Sequence, residues 1–145
     1  MGFKSWNQKN KTITVELKDI NKTTAVELTQ IRWIGNVLSE RIIKYRSRLK
    51  GFEDLDQLYE VYGLDTLVAQ RVFERFNIQV PINRVKKKIN KVTLEELQAV
   101  PYLTYKEAKK TIEILTRKPN LSLGDFFLEM DFDSLKIERL TLYLY

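Results

Sequence analysis

An internal repeat limits this chain more than any other feature. INKTTAVELTQIRWIG (Ile20 to Gly35) lies over INKVTLEELQAVPYLT (Ile89 to Thr104), pairing Ile20, Asn21, Lys22, Thr24, Glu27 and Leu28 with Ile89, Asn90, Lys91, Thr93, Glu96 and Leu97. LDTLVAQRV (Leu64 to Val72) then aligns with FDSLKIERL (Phe132 to Leu140) after a one-residue slip. A fixed-period similarity of this kind marks a duplicated supersecondary unit. Each copy is about 60 residues, so two small domains are expected rather than one large one. The boundaries expected are a flexible N-terminal segment (1–14), a first domain (15–80), a basic linker (81–88) and a second domain (89–145).

The local signals in both copies are helical. Thr24 and Thr93 each stand three residues before a glutamate, Glu27 and Glu96, which is the capping-box spacing. The first helix of each copy stops at a turn, near Trp33-Ile34-Gly35 and near Pro101-Tyr102-Leu103, because glycine permits tight turns and proline breaks helical bonding. In VLSERIIKYRSRL, Val37, Leu38, Ile42, Tyr45 and Leu49 recur every three to four residues and predict a second, amphipathic helix. Gly51 suits a left-handed C-terminal cap, with Asn120 at the matching place, and Phe52 and Leu121 follow as the apolar residues that seal such caps. A further helix, a turn at Tyr62-Gly63-Leu64 and another helix complete the first copy, with LGDFFLEMDFDSLKIERLTLYLY as the counterpart. TITVEL (Thr12 to Leu17) is expected to form a short extended lead-in. The fold class is all-α, built of short helices, with Tyr45, Phe52, Phe73, Phe76 and Phe126 in the core.

Composition removes whole classes of chemistry. Without cysteine or histidine there is no disulfide framework, no ordinary zinc site and no imidazole or thiol catalysis. The acidic clusters lie on helix faces opposite apolar positions, so no catalytic residues, metal site or cofactor are expected and the chain reads as a non-enzyme. No run approaches the roughly 18 apolar residues of a bilayer span, and residues 1–14 lack the apolar centre of a signal peptide, so no membrane contact is expected. A formal charge of +6 favours a polyanionic partner. The excess is local: residues 81–118 hold ten Lys and Arg against four Asp and Glu, whereas Asp125, Glu129, Asp131, Asp133 and Glu138 surround the last turn.

Helix, short apolar turn and helix, occurring twice within each copy, resembles the paired helix-hairpin-helix domain, and INK-T--EL-QIRWIG-VLSERIIKYR is similar to its ComEA-like branch. In that family the turn usually reads Gly-hydrophobic-Gly, with an apolar residue before it and a small residue four positions after the second glycine. The first copy offers Trp33-Ile34-Gly35 with Ile31 before and Ser39 after, so tryptophan replaces the first glycine. The second offers Tyr102-Leu103-Thr104 with Val100 and Ala108, so both glycines are replaced and that copy is degenerate. The resemblance implies sequence-independent binding of double-stranded DNA, acting in DNA uptake, competence or another DNA-handling process. The residues it points to are Trp33, Ile34, Gly35, Asn36 and Val37 at the first turn, with Arg41 and Lys44 one and two helical turns along.

Lys86, Lys87 and Lys88 of the linker and Lys106, Lys109 and Lys110 beside the second turn extend the candidate DNA-binding set as a phosphate-facing strip. Backbone N–H groups at the start of a helix attract anions, and glycine keeps side chains out of their way. If Gly35 has positive φ, Gly35→Asp would also add strain of about 1–2 kcal/mol. Trp33, Tyr102 and Tyr105, in or beside the turns, could stack on bases, enter a groove, cover an apolar patch on a protein partner or join the core. The alternative function is a protein-interaction or scaffold module that keeps the fold without binding DNA. The two separate on whether the first turn presents free amide donors beside positive charge.

Overall fold

The computed structural model describes residues 16–145 and divides into two compact units, one ending at Ile82 and one running from Asn83 to Tyr145. The expected flexible segment (1–14) and the Thr12–Val15 part of the extended lead-in lie outside the described residues. The described chain is all-α apart from short extended pairings, and its helices are short.

In the first unit, strand β1 (Lys18–Asp19) leads into α1 (Ala25–Leu28) and α2 (Asn36–Leu49). A 3-10 helix (Leu55–Glu60), α3 (Thr66–Phe73) and strand β2 (Phe76–Asn77) complete it. Helix α1 starts where Thr24 and Glu27 form the full capping box: the Glu27 N–H donates to Thr24 Oγ1 at 3.2 Å and the Thr24 N–H to Glu27 Oε1 at 3.3 Å. The helix expected ahead of the Tyr62-Gly63-Leu64 turn is a 3-10 helix, Leu55–Glu60. A buried Gln57 takes the Glu53 and Asp54 N–H groups at 2.8 and 3.1 Å, which pins its start within one turn. Asn21 ties the beginning of the unit to its middle, its Nδ2 donating to Phe52 O at 2.9 Å and its Oδ1 accepting from the Phe52 N–H at 2.8 Å. Arg46 Nη1 donates to the Ile20 and Thr23 carbonyls at 3.0 and 2.7 Å and so holds α2 against the lead into α1.

The second unit runs through the same order: a 3-10 turn (Ile89–Lys91), α4 (Leu94–Gln98), α5 (Tyr105–Arg117), α6 (Leu123–Met130) and α7 (Ser134–Leu140). The repeat extends to the backbone pairing. In the first unit the Lys18 N–H donates to Arg75 O at 3.0 Å and the Ile20 N–H to Asn77 O at 2.9 Å. In the second the Lys87 N–H donates to Tyr143 O and the Ile89 N–H to Tyr145 O, both at 2.9 Å, with a parallel bridge between Lys87 and Leu144. Positions 18 and 20 shift by 69 to reach 87 and 89, while 75 and 77 shift by 68 to reach 143 and 145, so the one-residue slip in the sequence is the same slip in the hydrogen bonding.

Each unit has its own core. Ile20, Leu28, Ile42, Leu49, Phe52, Leu58 and Val72 are inaccessible to solvent in the first, and Leu97, Ala108, Phe126 and Leu140 in the second. Phe52, Phe76 and Phe126 are buried as expected, whereas Tyr45 and Phe73 are half-buried. The Tyr45 hydroxyl donates to Glu60 Oε1 at 2.6 Å. Helix α2 ends in a left-handed pair, Lys50 (φ 59°) and Gly51 (φ 107°), with the Gly51 N–H on Arg46 O at 2.9 Å and Phe52 buried behind it. Asn120 takes no such conformation, which corrects the expected matching cap. Pro119 forces the residue before it out of helical geometry, and Lys118 (φ −131°, ψ 77°) ends α5 instead.

Candidate nucleic-acid interface

Three of the four helix-joining turns close with the same hydrogen bond, from residue four to the carbonyl of residue one: Ile34 N–H to Ile31 O (3.0 Å), Leu64 N–H to Val61 O (3.1 Å) and Leu103 N–H to Val100 O (3.2 Å). In each the first and fourth residues are buried, which anchors the turn and leaves the middle pair at the tip. The third residue decides the turn type. At Gly63 φ is +79°, as a type II turn demands and as glycine provides without strain. Trp33 holds φ at +78° in the equivalent place, a conformation costing a residue with a Cβ about 1–2 kcal/mol. Tyr102 has no positive φ, and Pro101 before it suits the second position of either turn type.

Gly35 does not need its glycine for backbone conformation. Its φ of −96° and ψ of −167° are open to any residue, which removes the strain expected from Gly35→Asp. What Gly35 supplies is clearance: a Cβ there would meet nothing within 4 Å, and no side chain caps α2. The Asn36, Val37 and Leu38 N–H groups precede Ser39, whose N–H is the first to bond within the helix (to Gly35 O, 3.0 Å), and so have no intrahelical acceptor at an exposed helix start. Every other α-helix among the described residues carries a side-chain cap: Thr24, Asp65, Thr93, Thr104, Ser122 and Asp133. The matching start of α5 is closed, since Thr104 Oγ1 accepts from the Glu107 N–H at 3.1 Å and Glu107 Oε1 from the Thr104 N–H at 2.9 Å. Burial works against the Glu107 carboxylate, yet hydrogen bonds from Lys136 (2.6 Å) and from the Thr104 backbone outweigh it and hold its pKa below the ordinary value.

The sequence-predicted residues divide by location. Trp33 (63% exposed), Gly35, Asn36 and Val37 form the exposed tip. Ile34 does not join them: its side chain is buried and its N–H is spent inside the turn. Arg41 bridges the two turns of the unit, its Nη1 donating to Tyr62 O at 3.2 Å and its guanidinium lying 4.9 Å from the centre of the Tyr62 ring. Gly63 makes room for that bridge, since a Cβ there would fall 2.5 Å from Arg41 Nη1. Lys44 is exposed one turn further along.

In the second unit Lys106, Lys109 and Lys110 are exposed on the first turns of α5, with Lys109 Nζ 5.5 Å from the centre of the Tyr105 ring. Lys86 and Lys88 are exposed, while Lys87 pairs with Glu96 at 2.9 Å, as Lys18 pairs with Glu27 at 2.9 Å in the first unit. Those lysine partners hold both glutamates below their ordinary pKa.

Sequence reasoning passed over Arg32, Tyr62 and Arg71. The Arg32 guanidinium lies 5.0 Å from the centre of the Trp33 ring. Arg71 follows the cap Asp65 by six residues, as Arg41 follows Gly35, and aligning the two helix starts would have found it. Among the described residues no group of acidic side chains is placed to hold a metal ion, and no helix is long and apolar enough to cross a membrane.

Residues 16–76 match the family described as helix-hairpin-helix motif, a motif associated with non-specific DNA binding. No curated protein and no solved structure matches the chain.

Proposed function

We propose that the chain is a binding module, not an enzyme, that holds double-stranded DNA without reading its sequence. In this reading the N–H groups of Asn36, Val37 and Leu38 take a phosphate at the start of α2, and Arg41, Lys44 and Arg71 add charge along the two helices that follow the turns of the first unit. The observation that carries it is the missing cap: among the described residues one α-helix start is left open, at the turn where Gly35 leaves clearance, while the others are closed by their own side chains. The closed start of α5 gives the second unit a different part. Its Lys106, Lys109 and Lys110, with Lys86 and Lys88, offer charge without an amide cradle. The INK-T--EL pattern supports placing the chain in the ComEA-like branch and its role in DNA uptake or an allied DNA-handling process.

A scaffold role is favoured for one region only. Leu128 and Leu135, 80% and 55% exposed, lie on α6 and α7 to either side of the turn that carries Asp131 and Asp133, where a phosphate would be repelled and a protein partner would not.

Titration of the chain against a labelled duplex tests the main reading. Contacts to about four phosphates give a log-log salt slope near −3.6, a loss of roughly 10²-fold between 50 and 200 mM salt. Dissociation constants of about 10⁻⁴ to 10⁻⁶ M are expected near physiological salt. No binding at low salt, or binding insensitive to salt, would leave the scaffold reading for the whole chain.

A further inference from the structure

Trp33 is a costly choice for the position it fills. The equivalent position of the second turn is Gly63, with the same φ to within a degree and no Cβ to strain. The ring gains no core in exchange. It is 63% exposed, and no aromatic ring among the described residues packs on it. Tyr102 in the matching place of the second unit is half-buried and packs on Tyr143 at 5.9 Å, which shows what an aromatic at this turn does when it serves the core. Trp33 instead lies beside the Arg32 guanidinium, three residues before the open amides of α2. An exposed aromatic, a planar cation and backbone donors thus come together within a few residues, offering a stacking face and a phosphate site to one nucleotide. Backbone strain maintained at an exposed tip, with no packing return, is a reason to look for function there.

We propose that Trp33 is a stacking platform for an unpaired base, so that the first unit prefers DNA with bases exposed in a gap or single-stranded segment over continuous duplex. This rests on the DNA-binding reading above. A base already out of the helix can stack on the ring directly, whereas in intact duplex the ring must first separate two stacked steps, which consumes much of what stacking returns. The cationic flank of Arg32, with Arg41 and Lys44 along α2, selects a polyanion over an apolar protein surface as the occupant.

The test compares the full chain on three labelled oligonucleotides: a continuous duplex, the same duplex with a short single-stranded gap, and that gapped duplex with abasic sites in the gap. The last two carry the same phosphates and differ only in bases. Binding to the base-containing gap should be about 5- to 150-fold tighter than to the abasic gap, the range that about 1–3 kcal/mol of stacking gives. Trp33→Gly, which also relieves the turn, should bring that ratio close to one, and Trp33→Phe should restore part of it. In a Trp6→Phe background, emission from Trp33 should be quenched more by the base-containing gap. A wild-type ratio near one, or a ratio that survives Trp33→Gly, overturns this inference and leaves duplex binding standing. No binding to any of the three at low salt overturns the DNA reading and this inference with it.

Discussion

At the tip of the first turn the two jobs a glycine pair could do are divided between unlike residues. Trp33 carries the left-handed backbone and Gly35 carries the clearance. Trp33→Gly should therefore raise stability by up to about 1 kcal/mol, the relief of left-handed strain less the extra freedom glycine gives the unfolded chain, read as an upward shift of the urea midpoint at unchanged slope. A fall in the midpoint would mean that the ring supplies packing its exposure does not suggest. Gly35→Asp should leave fold and stability within a few tenths of a kcal/mol of wild type, since aspartate is a good N-cap at the observed φ and ψ. It should still weaken duplex binding strongly, because its carboxylate takes the amides and repels the phosphate. Far-UV circular dichroism beside a binding titration separates the two effects, and Gly35→Asp that binds DNA normally would remove the amide cradle from the mechanism. The sequence placed both residues at the tip but could not divide their roles, because a family pattern of two glycines does not state which one bends the chain and which one makes room.

Among the elements, helix starts were the most legible, because a cap needs one side chain at one spacing. Thr24 with Glu27 and Thr93 with Glu96 form the boxes their spacing predicts. Helix ends were less legible, since a stop can come from a left-handed residue, as at Lys50 and Gly51, or from a following proline, as at Lys118. The parallel pairing of β1 with β2 left almost no trace in the sequence, because two-residue strands have no alternation to read. The box glutamates also shape the acid response, held low first by hydrogen bonds from lysines and then by the box itself. Glu27, Glu96 and Glu107 have their folded pKa held below the ordinary 4.5. A lowered folded pKa stabilises the fold fully above the unfolded value and is lost as pH falls through the folded one. Thermal midpoints should therefore change little between neutrality and about pH 5 on account of these groups, then drop below pH 4.5. A midpoint that held or rose across that lower range would show that the lysine and box hydrogen bonds of these carboxylates together contribute nothing to the fold.

Across the whole molecule, charge and cradle are assigned to different copies: the open helix start lies in the first unit and the lysine-rich helix start in the second. Replacing Lys106, Lys109 and Lys110 by glutamine should make the salt slope shallower by up to about 2.7, at about 0.9 for each phosphate no longer neutralised. If this triple variant leaves the slope untouched while Gly35→Asp abolishes binding, the first unit carries the interaction alone. If the reverse holds, the glycine turn is a remnant and the lysine face is the site. Both copies share one further property, the parallel pairing that sets the residues leading into each unit beside the residues leaving it. A module whose two ends are hydrogen-bonded neighbours asks little of its host. It can be copied in tandem, grafted into a surface loop or removed without stretching the flanking chain. The architecture thus lends itself to gene duplication, after which one copy can drift while the other keeps the ancestral task.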